Sequence, residues 1–446
     1  MKGALSGLRV IDSTTMVAMP TAMHIMADMG AEVIKVETHT LFRTEAARLM
    51  YADNLPGEQP WNRDGAFNTV QRSKLGLTLN IKIKEGVEAF KDLVRVSDVV
   101  VENNRAGTMD RLGLGYEELK RIKPDLIYLS NTGFGHTGPW RSYAGIGRMF
   151  ELTCGLSNFT GYLDEGPRRV GKAFFDLHVG WTAVFAILAA LHYRQRTGIG
   201  QWIDFAMYQV GVSTMGDTIL DFISNGRNGS VMGNRHPYMA PHGVYPCKGN
   251  DRWIAIAVEN DKQWLALSQI IDQRFWTDRI EFASMDSRWR NQDELDHYIS
   301  QWTKSISDSV LMKILQGHGI PAASVMNSRD VLTDPHMRAR GFYELIKHPP
   351  ETGMGSKLYY GRPWKMSKTP SYVRKPAPKL GEHNELILGD LLGRTPTEID
   401  ELYELGVAGT TPTNPSMYKP PTYEEQLNDG TLEGYDENFN EILGSE

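Results

Sequence analysis

The stretch LRVIDSTTMVAMPTAMHIMADMGAEVIKVE, residues Leu8–Glu37, contains the pattern that decides the fold. A short apolar run, Leu8–Asp12, is followed by a helix-like segment, Pro20–Met29, and then by a second run, Glu32–Glu37. Gly30 stands where a helix stop signal is expected. A crossover that contains a helix is what two parallel neighbouring strands require. The stretch therefore predicts a strand–helix–strand unit.

The same alternation continues along the chain. Further helices are predicted at Lys84–Val96, Tyr116–Ile122 and Leu177–Arg196, and further strands at Asp98–Glu102, Leu126–Ser130 and Gln201–Asp204. Short apolar strands separated by helices indicate an α/β fold, with a parallel sheet covered on both faces. In such sheets, ligands bind at the carboxyl ends of the strands.

The chain has 446 residues, which is too long for one ordinary core. After Asn225 the pattern changes: Gly243–Cys247 and Trp253–Val258 flank a turn-rich link that is typical of a hairpin. We therefore predict a large domain at 1–224, a smaller α+β domain at 225–337, and a return to the large domain at 338–408. Residues 409–446 are rich in Pro, Thr and acidic residues. They predict an acidic extended tail on the surface or on a partner subunit.

Composition excludes several classes of protein. Apolar content is 41% and net charge is -6, so the chain has no basic excess for nucleic acid. Two cysteines, Cys154 and Cys247, form neither a disulfide framework nor a zinc spacing, and they fit the cytoplasm. The opening residues are too polar for a secretory signal. The apolar run Val179–Leu191 is short for a membrane span, so we predict a buried helix and no membrane.

The glycine-rich run Gly133–Gly138 has the spacing of a dinucleotide fingerprint. Pro139 follows where the phosphate-binding helix should continue. The motif has meaning only between a strand and a helix, so we do not assign a nicotinamide site here.

Asp176 directly precedes the long predicted helix Leu177–Arg196. One interpretation is a helix N-cap, in which the side chain accepts a backbone N–H of the first turn. The other is a nucleophile, because a carboxylate near a helix N-terminus is favoured in its ionised form and can attack a thioester. The local sequence leaves both interpretations open.

Ordered motifs along nearly the whole chain before the tail resemble the CaiB/BaiF family, the class III CoA-transferases. They include Leu5–Asp12, Ala27–Glu37, Lys74–Asn80, Asp98–Asn103, Met109–Gly113, Gly138–Trp140, Asp176 with Gly180, Arg196–Gln201, Ala240–Gly243, Gly319–Ala323 and Leu380–His383.

The resemblance implies a Rossmann-like large domain with a parallel sheet built from both chain ends, a smaller domain between them, and an interlocked dimer. It implies that Asp176 attacks an acyl-CoA thioester and passes through an anhydride to an aspartyl-CoA thioester. It also implies no metal and no tightly bound cofactor, since the CoA thioester is a substrate. The residues that match the family's CoA-binding positions are Val17, Ala18, Lys74, Leu79, Lys82, Asn103 and Arg111.

Two departures from the family pattern bear on the acyl group. A common basic position is Thr38 here, for which Arg43 could substitute, and residues 144–150 lack the usual polar pattern. Both indicate altered acyl contacts and a larger apolar acid. The resemblance implies an aromatic-substituted dicarboxylate as such an acceptor, with succinyl-CoA as donor. The side chains that could line its pocket, or simply belong to the core, are Trp140, Met149, Phe150, Phe174, Phe175 and Tyr238.

Two alternatives remain. An alpha-methylacyl-CoA racemase needs a second acid/base, and Gly145–Gly147 holds no histidine at the expected place, although His136 or His178 could act. A non-catalytic CoA-binding subunit is the other, because the acidic tail fits a dedicated partner chain. The expected partners are therefore acyl-CoA, a carboxylic acid, and either a second copy or a related subunit.

Overall fold

The computed structural model describes residues 2–40, 50–162, 165–171, 173–414 and 420–443. The chain folds into two compact units. The first comprises Met1–Leu156, Val170–Ile219 and Pro335–Glu446, and the second comprises Ser157–Arg169 and Leu220–Asp334. The second unit thus contains most of the segment predicted as the smaller domain and adds the short stretch before Val170.

The strands belong to three sheets. They are Arg9–Ser13 (β1), Glu32–Glu37 (β2), Leu75–Thr78 (β3), Val99–Glu102 (β4), Ile127–Thr132 (β5), Gln201–Ala206 (β6), His242–Pro246 (β7), Trp253–Ala257 (β8), Ala322–Ser324 (β9), Tyr343–Lys347 (β10) and Ser356–Tyr360 (β11).

The helices cover and connect these sheets. The α-helices are Ala18–Asp28 (α1), Gly65–Gln71 (α2), Lys84–Arg95 (α3), Thr108–Arg111 (α4), Tyr116–Ile122 (α5), Gly147–Thr153 (α6), Phe174–Thr197 (α7), Met207–Ser213 (α8), Gly216–Asn225 (α9), Asp261–Ile271 (α10), Arg274–Thr277 (α11), Met285–Arg290 (α12), Gln292–Thr303 (α13), Asp308–Gly317 (α14), Ser328–Thr333 (α15), Pro335–Ala339 (α16), Pro396–Glu404 (α17), Tyr423–Asn428 (α18) and Phe439–Leu443 (α19). A π-helical turn spans Leu386–Leu391.

The six strands β1–β6 form one parallel sheet in the order β3-β2-β1-β4-β5-β6. This is the Rossmann strand order, and the direction of the chain across the sheet changes between β1 and β4. The loops that follow these two strands therefore border the crevice in which such sheets bind ligands.

The C-terminal part of the chain adds helices to this sheet rather than strands. Ile387 and Leu402, from the π-helical turn and α17, pack in the same core as Ile34 and Leu77. Within the described residues, all strands of the parallel sheet lie between Arg9 and Ala206. The prediction of a sheet built from both chain ends is thus corrected to a unit built from both ends around an N-terminal sheet.

Helix α7 packs closely against α1. A Cβ atom on Gly180 would lie 2.6 Å from the carbonyl oxygen of Ala18, so only glycine permits this approach. Among the described residues, α7 is the helix that is long and apolar enough to cross a membrane. Its residues Val179, Ala183 and Ile187 are fully buried in the core, whereas Phe185 and Tyr193 are exposed, so the helix predicted to be buried is buried along one side only.

The second unit has its own antiparallel sheet, β7-β8-β9, and its own core. In the first unit, β10 and β11 pair as an antiparallel hairpin. The tail, predicted as extended, contains the short helices α18 and α19. Its described part returns to the first unit, where the Asn54 side-chain amide donates to the carbonyl of Pro421 (2.9 Å).

Candidate active site

Asp176 lies in the first turn of α7, not before it. The helix begins at Phe174 after Ala173, which provides no side-chain cap. The interpretation of Asp176 as the N-cap is therefore wrong, and the helix starts three residues before the predicted Leu177. The first turn is still a position where the helix dipole favours a negative charge.

The backbone of Gly147, the first residue of α6, packs directly on the Asp176 carboxylate. A Cβ atom on Gly147 would lie 2.3 and 2.5 Å from the two carboxylate oxygens and 2.6 Å from their carbon. No side chain fits at this position without moving one of the two groups. The role of Gly147 was not predicted from the sequence, because residues 144–150 were considered only for a missing histidine and a missing polar pattern.

Phe150 fixes the start of α6 against the loop that follows β5. A Cβ atom on Gly133 or on Gly145 would lie 2.4 or 2.3 Å from the tip of the Phe150 ring. Phe150 is buried, and its ring also meets that of Phe134 edge-on at 5.1 Å. Close packing of both glycines on one buried ring holds the backbone around Gly147 in place.

The predicted acyl-pocket residues separate into two groups. Phe150 and Phe175 are buried members of the core. The others are exposed by 41 to 68%, namely Trp140, Met149, Phe174 and Tyr238. Of these, Tyr238 belongs to the second unit.

The loops after β1 and β4 are joined by Asn103. The Thr15 N–H donates to the Asn103 side-chain oxygen (2.9 Å), and the Asn103 amide donates to the Thr15 carbonyl (2.8 Å). Val17 and Ala18 follow directly and are both buried at the start of α1. These two hydrogen bonds hold the loops after β1 and β4 together, at the point where the direction of the chain across the sheet changes.

The cations among the predicted CoA contacts differ in their surroundings. Lys74 is fully buried, and its ammonium donates to the Asp12 carboxylate (2.7 Å) and to the Gln71 side chain (2.7 Å). Lys82 and Arg111 are exposed, after β3 and β4 respectively. These two strands lie three strand spacings apart, roughly 14 Å.

The remaining predicted positions are less informative. Leu79 is buried in the core next to the sheet. The Thr38 hydroxyl contacts that of Thr40 (2.8 Å), and Arg43 lies outside the described residues. Within the described residues, no three His, Cys, Asp or Glu side chains are grouped to hold a metal ion.

A cleft of about 190 Å³ opens beside β4, β5 and β6. It is lined by Glu102, Tyr128, His136 and Trp202, among others. The Glu102 carboxylate accepts the Asn104 backbone N–H (2.7 Å) and its amide (3.2 Å), and so shapes the loop that carries Asn103. Burial raises the pKa of Glu102 to about 7, against the opposing effect of these hydrogen bonds.

The raised pKa predicts a pH-dependent stability. Between pH 4.5 and 7 the folded chain holds a proton on Glu102 that the unfolded chain has lost, so the free energy of unfolding falls as pH rises. Glu102→Gln removes this effect. In urea unfolding, the free energy of unfolding of the variant minus that of the wild type should rise by up to about 3 kcal/mol between pH 4.5 and 7.5. A difference that does not change with pH would contradict the prediction.

A family model described as CoA-transferase family III matches residues 5–384. The succinyl-CoA:mesaconate CoA-transferase of Haloarcula marismortui is 35% identical over 395 residues, covering 87% of this chain and 96% of that protein. The succinyl-CoA–D-citramalate CoA-transferase of Chloroflexus aurantiacus is 33% identical, covering 89% and 96%. The crystal structure of a CaiB/BaiF family protein from Brucella suis superposes with a TM-score of 0.79 at 31% identity, covering 88% and 100%.

Proposed function

The chain belongs to CoA-transferase family III and is an enzyme of that class, and we propose that it moves CoA from succinyl-CoA to a free carboxylic acid through Asp176. The observation that carries the proposal is the Asp176 carboxylate, which lies in the first turn of the long helix α7 and packs against the backbone of Gly147. A carboxylate held in this way can act as a nucleophile.

The proposed reaction consists of acyl transfers that need no external proton. The Asp176 carboxylate attacks the thioester carbonyl, the C–S bond breaks, and CoA thiolate leaves behind a mixed anhydride. The thiolate then attacks the aspartyl carbonyl, which releases the donor acid and leaves an aspartyl-CoA thioester. The acceptor acid repeats both steps in reverse order and restores the carboxylate. Excluding water protects both intermediates from hydrolysis.

We place CoA at the carboxyl edge of the parallel sheet. The exposed cations Lys82 and Arg111 would take its phosphates: Arg111 follows β4, which borders the crevice, and Lys82 follows the edge strand β3 at the same carboxyl edge. Apolar contacts with CoA would come from Val17, Ala18 and Leu79. Asn103 would hold the loop after β1 in place. Lys74, bonded to Asp12, would act by positioning β1 rather than by touching phosphate.

The acceptor is proposed to be a bulky or aromatic dicarboxylic acid. The exposed side chains Met149 and Phe174 support this, since they add apolar surface to α6 and α7, the two helices that carry Gly147 and Asp176. Apolar surface on the helices that carry the site favours an apolar substituent on the acid.

We also propose that the enzyme works as an interlocked homodimer, or as a heteromer with a related subunit. Exposed apolar residues on α7, Phe185 and Tyr193, support a further chain packing there.

Hydroxylamine trapping tests the proposal. Incubation with succinyl-CoA and hydroxylamine should inactivate the enzyme and leave a hydroxamate at Asp176, found by mass spectrometry of the peptide. Without succinyl-CoA, hydroxylamine should have no effect. A chain that transfers no CoA and is not trapped would instead be a racemase or a non-catalytic subunit.

A further inference from the structure

Arg148 follows Gly147 as the second residue of α6. Its side chain is exposed, and it has no hydrogen bond or ion pair with any residue that the structure describes. The other charged residue of α6, Glu151, is buried and accepts the Val170 N–H. The Arg148 guanidinium is therefore available to a ligand.

Packing of Gly147 on Asp176 places Arg148 near the nucleophile. A Cβ on Gly147 would be 2.3 Å from a carboxylate oxygen, and a Cα–Cβ bond of about 1.5 Å puts the Gly147 Cα within about 3.8 Å of that oxygen. Neighbouring Cα atoms are about 3.8 Å apart, so the Arg148 Cα lies within about 7.6 Å of the carboxylate. The long side chain can reach the space around Asp176 from there.

A dicarboxylic acid has one carboxyl group that reacts and a second that stays charged. When the first is bound at Asp176, the second lies only a few bonds away and needs a cation. Arginine suits this task, because its planar guanidinium can bind a carboxylate through two parallel hydrogen bonds.

We propose that Arg148 binds the non-reacting carboxylate of the dicarboxylic substrate and thereby selects dicarboxylic over monocarboxylic acids. This inference rests on the proposed function and names the residue that would set its substrate class. Because the contact forms with the bound acid before and during transfer, its loss should appear mainly in KM.

The test compares isotopically labelled succinate with its labelled monoamide, succinamate, as acceptors of CoA from unlabelled succinyl-CoA, because transfer to unlabelled succinate would give no net product. Arg148→Gln should raise KM for succinate about 10- to 100-fold, as expected for loss of a charge-assisted pair, and change kcat little. KM for succinamate should stay as in the wild type, which also shows that the variant is folded. Arg148→Lys should recover part of the loss.

The matched control is Arg196→Gln. Arg196 is also an exposed arginine, 20 residues beyond Asp176 on the same helix and so about 30 Å away. It should behave as the wild type. If the Arg148→Gln enzyme keeps the wild-type preference for succinate over succinamate, this inference is overturned but the proposed function is not. A wild-type enzyme that transfers CoA to no acid would overturn the proposed function as well.

Discussion

Asp176→Asn is expected to lower CoA transfer at least about 1,000-fold, a loss of about 4 kcal/mol of transition-state stabilisation. The amide is nearly the same size as the carboxylate that packs on Gly147, so α6 and α7 should keep their contact. It cannot form the anhydride, because its nitrogen is not a nucleophile of this kind. The measurement is the rate of CoA exchange between succinyl-CoA and a free acid.

Asp217→Asn is the control for this substitution. Asp217 is also an acid in the first turn of a helix, α9, but it is exposed and accepts the N–H of its neighbour Thr218 (2.8 Å). Its variant should transfer CoA at the wild-type rate. Both variants should melt within a few degrees of the wild type. Full exchange activity in Asp176→Asn would contradict the assigned role of the nucleophile.

The first half of the fold was predictable because its signals are local. Strand β2 has its predicted bounds, and the predicted start of α1 differs by two residues. Strand β3 was missed because its partners are remote: Gly76 donates to the His383 ring (3.1 Å) and Thr78 to the Asn384 side chain (2.9 Å). A four-residue strand whose outer edge is completed by the C-terminal segment has no sufficient signal of its own.

The start of α7 was misplaced for a related reason. Capping side chains are the main local signal of a helix start, and Ala173 offers none. Asp176 directly precedes the predicted start at Leu177, and it was therefore open to interpretation as the N-cap.

The candidate site shows the same division between local and tertiary information. The sequence predicted Asp176 as a candidate through a motif, but it could not reveal that the Lys74 ammonium is paired with the buried Asp12 carboxylate. Burial of a lysine is decided by pairing with a distant carboxylate, which no local pattern reports. Gly147 escaped notice for the same reason, because its neighbour Asp176 is 29 residues away in the sequence.

Gly147→Ala is expected to lower kcat about 100-fold or more. The added methyl would overlap both Asp176 oxygens, so the carboxylate must turn away or α6 must shift. A displacement near 1 Å at the reacting group costs about this much. Gly216→Ala is the matched control, because Gly216 also begins a helix and a Cβ there meets nothing within 4 Å. That variant should keep full activity.

A double-mutant cycle separates this overlap from a general folding defect. Alanine is favoured over glycine in a helix by about 1 kcal/mol, so the substitution at Gly147 would stabilise α6 if nothing opposed it. In the chain that keeps Asp176, Gly147→Ala should lower the free energy of unfolding. In the Asp176→Ala chain, which lacks the carboxylate, Gly147→Ala should no longer lower it. Unfolding curves of the four chains should give a coupling of about 1 to 3 kcal/mol. Additive effects would mean that the residue at position 147 does not press on the Asp176 carboxylate.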